Sequence, residues 1–182
     1  MTDMTVMPTR SAEWTVDDLA GLPDDGLRYE LLDGILLVSP APSRLHQRAA
    51  MNLGNLLFGR CPRGMELAMA PLDWQPDSRT SLEPDVLVMS NRDLGSTVAD
   101  SMVLAVEVLA PSSRRKDAVY KRSKYEDEGV PSYWIIDPQA PSILVLELRD
   151  GHYATVGEAA GAEALVVLQP FPVTIVPADL IR

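Results

Sequence analysis

The stretch that decides the fold is Met102-Val103-Leu104-Ala105-Val106-Glu107-Val108-Leu109, an apolar run interrupted by one acidic residue. A second apolar run, Val86-Leu87-Val88-Met89, lies shortly before it in the chain. Short uninterrupted runs of this composition are typical of strands that are covered on both faces. The two runs therefore predict the centre of a β-sheet that lies inside the protein.

Helical patterns flank these central strands. Apolar residues recur at three- and four-residue spacing over 43–60, which predicts an amphipathic helix. Another helix is predicted over about 114–128, with Ser113 as its N-cap and Gly129 just after its end. A short capped helix is predicted over 14–19. The central strands are thus followed and preceded by helices.

Hairpins complete the pattern. Asp33-Gly34 separates two apolar segments and is a strong hairpin signal, because both residues tolerate positive φ. A second hairpin is predicted across Arg149-Asp150-Gly151. The remaining expectations are strands over 65–73 and 132–137, a polar loop over 75–81, and an edge strand with an extended tail over 164–182.

The order of these elements sets the expected fold class. It predicts an α/β (α+β) fold in which helices flank a mixed central β-sheet, with N-terminal and C-terminal β-hairpins. No repeat or linker-like segment divides the chain, and 182 residues are an ordinary length for one domain. We therefore expect a single domain over residues 1–182.

Composition favours a folded protein of the cytoplasm. Hydrophobic residues make up 46% of the chain and charged residues 23%. No stretch approaches the roughly 20 apolar residues that a membrane helix needs. Residues 1–10 lack a signal-peptide pattern, and the single cysteine, Cys61, cannot form an internal disulfide. We therefore expect a cytoplasmic location and no membrane partner.

The charge distribution leaves two interpretations open. The formal net charge is −10, which disfavours indiscriminate binding to a phosphate backbone. Six basic residues nevertheless cluster within 114–124, namely Arg114, Arg115, Lys116, Lys121, Arg122 and Lys124. This window is either a local nucleic-acid patch or a solvated basic helix face.

Asp85 and Glu107 are the acidic residues of the two central strands. A carboxylate inside a buried strand costs several kcal/mol unless it is paired or binds a cation. One explanation for Glu107 is therefore a salt bridge or a position at the wet end of the strand. Neighbouring strands lie about 5 Å apart, so two such carboxylates would otherwise need a divalent ion or a proton between them. Oxygen-rich sites of this kind suit Mg²⁺ or Mn²⁺.

Lys121 is the candidate cation for this site. It lies four residues after Asp117 and four before Tyr125, so the three share one helix face. A lysine near a scissile phosphate stabilises developing negative charge. The alternative is a surface lysine on a basic helix, with Asp117 and Tyr125 as supports on the same face.

The ordered motifs resemble those of the bacterial putative restriction endonuclease domain family, in the PD-(D/E)XK nuclease superfamily. The resemblance runs from about residue 14 to 156. It rests on Tyr29–Gly34, Ser39-Pro40 with His46, Pro84-Asp85-Val86, Val106–Ser113, Asp117, Lys121, Tyr125, Gly129-Val130 and Tyr133–Pro138.

The resemblance implies a restriction-endonuclease-like core with a metal-dependent phosphodiesterase site. Asp85 and Glu107 would be the metal ligands. The superfamily pattern has a lysine two residues after the second acid, where this chain has Leu109, and Lys121 matches the position that this family uses instead. Glu30 would add a carboxylate. His46 would be a general base or metal-water contact, or else a tether between helix and sheet; Glu83 we interpret as a loop residue.

The resulting functional hypothesis is a Mg²⁺- or Mn²⁺-dependent endonuclease that hydrolyses nucleic-acid phosphodiester bonds, with DNA as substrate. The alternative is a catalytically inactive, dimeric binding or regulatory module, which Leu109 and the net charge favour. A homodimer is compatible with both hypotheses. Its interface is predicted at the C-terminal hairpin, with Ile143, Val145 and Leu146 as exposed apolar residues.

Overall fold

The computed structural model describes residues 13–90, 98–99, 101–110 and 117–182, with the backbone alone at 117 and 118. The helical elements are α1 Val16–Leu19, α2 Arg44–Phe58, a π-helical turn Asp117–Lys121 that continues into α3 Arg122–Asp127, and a 3-10 turn Pro177–Ile181. The strands are β1 Arg28–Leu32, β2 Ile35–Ser39, β3 Met65–Met69, β4 Asp73–Asp77, β5 Thr80–Leu82, β6 Val86–Ser90, β7 Val98–Ala99, β8 Met102–Val108, β9 Ser132–Asp137, β10 Ser142–Arg149, β11 His152–Ala160, β12 Leu165–Val167 and β13 Val173–Ile175.

Six strands form the central sheet, in the order β11-β10-β9-β8-β6-β3. Strands β8 and β9 are parallel, and the other neighbouring pairs are antiparallel. The sheet is therefore mixed, as the sequence predicted. The two apolar runs are β6 and β8, which lie side by side inside the sheet and not at its edge.

Hydrophobic clusters cover both faces of this sheet. On one face Val88 and Val106 pack with α2 and with the C-terminal segment. On the other face Leu87 and Ala105 pack with Tyr125 of α3. Side chains alternate along a strand, so residues that follow the parity of Leu87 and Ala105 point to the α3 face. This parity includes Asp85 and Glu107.

Helix α2 carries His46 to the sheet. Its N-cap is Ser43, whose Oγ accepts a hydrogen bond from the His46 N–H at 3.2 Å. Gly54 allows α2 to lie close to β3, because a Cβ at this position would be 2.7 Å from Met69 Sδ. The predicted helix is confirmed, with its ends moved inward by one or two residues.

A second sheet, in the order β2-β1-β5-β4-β7, contains the N-terminal hairpin. Asp33 and Gly34 have φ of 49° and 82°, which confirms the predicted turn. The prediction of a polar loop over 75–81 was wrong, since β4 and β5 form a hairpin there. Polar residues satisfy one another in this hairpin: Gln75 Nε2 donates to Ser81 Oγ at 3.0 Å.

The predicted helix over 114–128 is described only from Asp117 onward. Its first residues and the N-cap Ser113 lie outside the described residues. The described part begins with a π-helical turn and ends as α3 just before Gly129, which has φ of 75°. The predicted C-terminal end is thus confirmed. No helix within the described residues is long and apolar enough to span a bilayer.

The C-terminal region corrects two predictions. The hairpin β10–β11 turns at Asp150-Gly151 as predicted, but Ile143, Val145 and Leu146 are buried and not exposed. They are buried because β10 lies between β9 and β11 and is covered on both faces. The predicted edge strand after residue 164 is instead a separate two-stranded ribbon, β12–β13. The apolar residues that motivated a hairpin-mediated dimer are therefore used inside one chain.

Candidate active site

Strand pairing brings Asp85 and Glu107 to one end of the central sheet. Val86 of β6 lies opposite Val106 of β8, and the Asp85 N–H donates to the Val106 carbonyl at 3.0 Å. One further step in this antiparallel register sets Asp85 opposite Glu107. Both carboxylates are buried. The two acidic residues of the central strands are therefore cross-strand neighbours.

Three groups surround the Asp85 carboxylate. Oδ1 accepts a hydrogen bond from Arg28 Nη1 at 3.2 Å, and Oδ2 accepts one from the Val108 N–H at 2.7 Å. Oδ2 also lies 3.1 Å from His46 Nε2. Burial alone would raise the pKa of Asp85, but the contacts with His46, Arg28 and the Val108 N–H hold it below its ordinary value. Asp85 is thus a fixed anion.

The Glu107 carboxylate has fewer stabilising contacts for its charge. Lys121 Nζ lies 3.2 Å from Oε1 and 3.3 Å from Oε2, and the Tyr125 hydroxyl donates to Oε1 at 2.9 Å. Burial raises the pKa of Glu107 to about 8; Lys121 opposes this shift, and the charges of Asp85 and Glu30 add to it. Glu107 is therefore a carboxylate whose ionised form would gain from an additional cation.

Glu30 of β1 fixes the position of Lys121. Its Oε1 accepts hydrogen bonds from Lys121 Nζ and from the Glu83 N–H, each at 2.8 Å. Burial raises the pKa of Glu30, but Lys121, Arg28 and the Glu83 N–H together lower it below its ordinary value. Lys121 itself is 2% exposed, so it is not the surface lysine of the alternative interpretation.

Arg28 belongs to the same cluster and was missed by the sequence analysis. It contacts Asp85, and its Nε lies 2.9 Å from Glu83 Oε1 while its Nη2 lies 3.7 Å from Glu30 Oε1. Its position two residues before Glu30 puts both on the same side of β1, which is the signal that could have found it. Glu83 lies in the loop before β6, as predicted, but it also contacts the site.

One open cleft of about 170 Å³ collects these side chains. It is lined by all five predicted site residues, Glu30, His46, Asp85, Glu107 and Lys121, together with Arg28. The segment 39–43, which leads into α2, also lines the cleft. A cleft of this size admits a small part of a larger ligand, such as one phosphate group, next to the carboxylates.

The charges in the cleft are unbalanced. Four carboxylates, those of Glu30, Glu83, Asp85 and Glu107, surround the two cations Arg28 and Lys121, which leaves a formal charge of −2 when all four are ionised.

Within the described residues, no three or more His, Cys, Asp or Glu side chains are grouped as metal ligands. Mg²⁺ commonly uses one or two carboxylates and completes its shell with water and phosphate oxygens. Asp85 and Glu107 are donors of this kind.

Comparison with known families shows which family the chain belongs to. The family model described as "Uma2: Putative restriction endonuclease" matches residues 16–178. The chain belongs to the Uma2 family. The match reaches past residue 156, where the resemblance seen in the sequence ended. None of the curated proteins compared matches the chain.

A solved structure shares the fold of this Uma2 chain. It is the crystal structure of a "putative nuclease belonging to DUF820" from Anabaena variabilis ATCC 29413, with a TM-score of 0.76 and 18% sequence identity. The alignment covers 92% of this chain and 97% of that one. At this identity the likeness bears on the fold, and it confirms the predicted nuclease-like α+β architecture.

Leu109 and Lys121, the two residues that the sequence analysis compared, lie in different places in this Uma2 chain. Leu109 follows β8, and its N–H donates to the Ile136 carbonyl at 2.7 Å. Lys121 enters from the π-helical turn and contacts Glu107 directly. Lys121, from the helical segment that follows β8, thus reaches the Glu107 carboxylate.

The remaining basic residues of the window 114–124 are not a solvated helix face in the part that the structure describes. Lys124 is 8% exposed and its Nζ lies 2.9 Å from a carboxylate oxygen of each of Asp33, Asp77 and Glu128. We call these four residues the Lys124 clasp. It joins α3 to the β1–β2 turn and to β4. Arg122 donates to the Tyr153 carbonyl, while Arg114, Arg115 and Lys116 lie outside the described residues.

Proposed function

We propose that this Uma2 protein is a Mg²⁺-dependent endonuclease that hydrolyses phosphodiester bonds in nucleic acid, with DNA as the first substrate to test. The observation that carries the proposal is the pairing of Asp85 and Glu107 across β6 and β8, with Lys121 against Glu107, in an open cleft. Family membership supports a nuclease function. Mn²⁺ is the natural substitute for Mg²⁺ at such oxygen donors.

Asp85 and Glu107 are the residues that would hold the metal. When bound, Mg²⁺ would neutralise charge on the scissile phosphate and lower the pKa of a water molecule. Asp85 serves this role as a permanent anion, because its neighbours lower its pKa. Glu107 gains most from a cation, because its pKa lies at about 8 without one. His46 holds Oδ2 of Asp85, which favours the tether interpretation over a general base.

Lys121 is the group that would stabilise the negative charge that develops on the phosphate during hydrolysis. Its ammonium is held by Glu30 and Glu107, so its direction is fixed before a substrate arrives. A preorganised charge of this kind needs little reorganisation in the transition state. Glu30 is therefore a positioning residue for Lys121, and not a third metal ligand.

The proposal is tested by two isosteric changes, Asp85→Asn and Glu107→Gln, with Asp77→Asn in the Lys124 clasp as the matched control. Purified proteins are incubated with supercoiled and linear DNA, single-stranded DNA and RNA in Mg²⁺ or Mn²⁺. We expect each site variant to lose cleavage by more than the roughly 10- to 100-fold typical of outer-shell partners. The control should cleave at the wild-type rate.

A folded wild-type protein that cleaves no substrate of this panel would contradict the nuclease proposal. The catalytically inactive module would then be the better interpretation, and Leu109 together with the double pairing of Lys121 is the observation that favours it. Calorimetry with Mn²⁺ separates two explanations of absent cleavage. An inactive module has no need to bind the ion, whereas a nuclease whose substrate is missing from the panel should still bind it. Sedimentation tests independently whether the protein forms the homodimer expected from the sequence.

A further inference from the structure

We propose that Arg28 is an exchangeable counter-ion of Asp85, which a divalent cation must displace in order to bind. The inference rests on the proposed function, because it requires a divalent-cation site at Asp85 and Glu107. In this inference Arg28 limits the affinity for the metal. Neither the pair Asp85 and Glu107 nor Lys121 has this role.

The two carboxylate oxygens of Asp85 differ in how many protein groups already contact them. Oδ2 accepts the Val108 N–H at 2.7 Å and lies 3.1 Å from His46 Nε2, so the protein occupies both of its lone-pair directions. Within the described residues Oδ1 has one polar contact, Arg28 Nη1 at 3.2 Å. A cation that approaches Asp85 therefore approaches Oδ1, and Arg28 is the group already there.

Arg28 has other carboxylates within reach besides Asp85. Its Nη1 makes the hydrogen bond to Asp85, but Nε and Nη2 are buried and make no directed hydrogen bond to a described residue. Nε is nevertheless 2.9 Å from Glu83 Oε1, and Nη2 is 3.7 Å from Glu30 Oε1. A guanidinium that leaves Asp85 thus retains carboxylates on its other side, and better alignment with Glu83 would satisfy Nε.

Charge repulsion makes the exchange necessary. A guanidinium and a divalent cation on one carboxylate oxygen repel each other strongly in a partly buried site, where the effective dielectric constant is lower than in water. Metal affinity in the wild-type protein therefore includes the free energy of moving Arg28.

Calorimetry of Mn²⁺ binding to Arg28→Met tests the exchange. The matched control is Arg79→Met, which removes an arginine that pairs with Glu13 and with the Asp33 carbonyl outside the cleft. Loss of one charge-assisted hydrogen bond predicts Mn²⁺ binding about tenfold tighter in Arg28→Met, the factor that corresponds to ~1.4 kcal/mol. Arg79→Met and the charge-conserving Arg28→Lys should bind Mn²⁺ as the wild type does.

A second measurement uses the wild-type protein, so it holds even if Arg28→Met does not fold. In ¹⁵N-labelled protein, the arginine Nε–H signal that disappears in Arg28→Lys identifies Arg28. Titration with diamagnetic Mg²⁺ should shift this signal, and leave that of Arg79 in place. A bound ion without any shift of the Arg28 signal would overturn the exchange.

The possible results show whether the role of Arg28 fails alone or together with the proposed nuclease function. Mn²⁺ binding in Arg28→Met that is equal to or weaker than wild type, with cleavage by the wild type intact, refutes the role of Arg28 alone. Absence of divalent-ion binding in both proteins refutes the proposed function and the inference together. Tighter binding in Arg28→Met with an unchanged Arg79→Met control supports both.

Discussion

Lys121 and Lys124 lie three residues apart, both are buried, and both contact carboxylates, yet the two clusters around them differ in chemistry. The partners of Lys121, Glu30 and Glu107, are buried with it. The partners of Lys124 face solvent, and the side chains of Asp33 and Asp77 are 63% and 40% exposed. Water therefore screens the charges of the Lys124 clasp and cannot do so around Lys121.

The pKa values express this difference. Burial raises the pKa of Glu107 to about 8 despite the neighbouring Lys121. Burial also acts on Asp77, but the hydrogen bond from Lys124, together with the charge of Lys124 and hydrogen bonds from the Arg79 N–H and Thr80, lowers the pKa of Asp77 below its ordinary value. The Lys124 clasp is thus a structural contact whose carboxylates stay ionised and are screened by water. Around Lys121 the carboxylates are buried, so the ionised form of Glu107 would gain from an additional cation.

The largest expected effect is on catalysis. Lys121→Met should reduce DNA cleavage by about 10²- to 10³-fold, the range found when one transition-state donor is removed. Lys124→Met, which removes an equally buried lysine from the same helical segment, should leave cleavage near the wild-type rate. Rates are measured with saturating Mg²⁺, and circular dichroism checks that both variants are folded. Equal losses in the two variants would show that Lys121 acts through structure alone.

The second prediction separates positioning from metal binding. Glu30→Gln keeps the shape of the side chain but weakens its hold on Lys121, so kcat should fall by roughly 10- to 100-fold. Mn²⁺ affinity should stay at the wild-type value, because Oε1 of Glu30 is already used by Lys121 and the Glu83 N–H and the proposed ion is held by Asp85 and Glu107. Kinetics and calorimetry on the same preparation give both numbers. A parallel fall in metal affinity would make Glu30 a ligand instead.

These two predictions depend on features that were legible in the sequence to different degrees. The strands of Asp85 and Glu107 follow from uninterrupted apolar runs, and the hairpin at Asp33-Gly34 follows from its turn chemistry. Such signals are local, so one sequence carries them. Lys121 was a candidate from its helix face and was supported by the resemblance to a family, but its contact with Glu30 joins residues 91 positions apart and follows from no local pattern.

What the sequence did not reveal was mostly long-range contact. Arg28 contacts Asp85 across 57 positions, and no local pattern encodes that distance. Lys124 was taken for part of a basic window, since its carboxylate partners Asp33 and Asp77 come from other elements. Val145 was taken as exposed, although it lies in the uninterrupted apolar run Ile143-Leu144-Val145-Leu146, a pattern typical of a strand covered on both faces.

The third prediction concerns stability. Lys124→Met removes charge-assisted hydrogen bonds to three carboxylates and should lower the free energy of unfolding by about 1–3 kcal/mol. The matched control is Arg149→Met, which breaks an exposed pair with Glu147 and should cost less than about 1 kcal/mol. Urea unfolding at neutral pH measures both. A loss in the control as large as that in Lys124→Met would show that burial of the lysine does not matter.

The smallest expected effect is the acid dependence of the Lys124 clasp. The pKa of Asp77 is lower in the folded protein than in the unfolded chain, where it takes its ordinary value of 3.8. A depressed carboxyl pKa contributes stability that is complete above the unfolded value and is lost as the pH falls through the folded value.

The difference in unfolding free energy between wild type and Lys124→Met should therefore be constant above pH 3.8 as far as Asp77 is concerned, and shrink below it. Urea unfolding of both proteins from about pH 6 to about pH 3 follows this difference directly. Asp77→Asn is the check, because it removes the titrating group and should flatten the change. A difference that grows on acidification would mean that Lys124 does not depress the pKa of Asp77, and the contrast between a screened clasp and a charged cleft would lose its electrostatic basis.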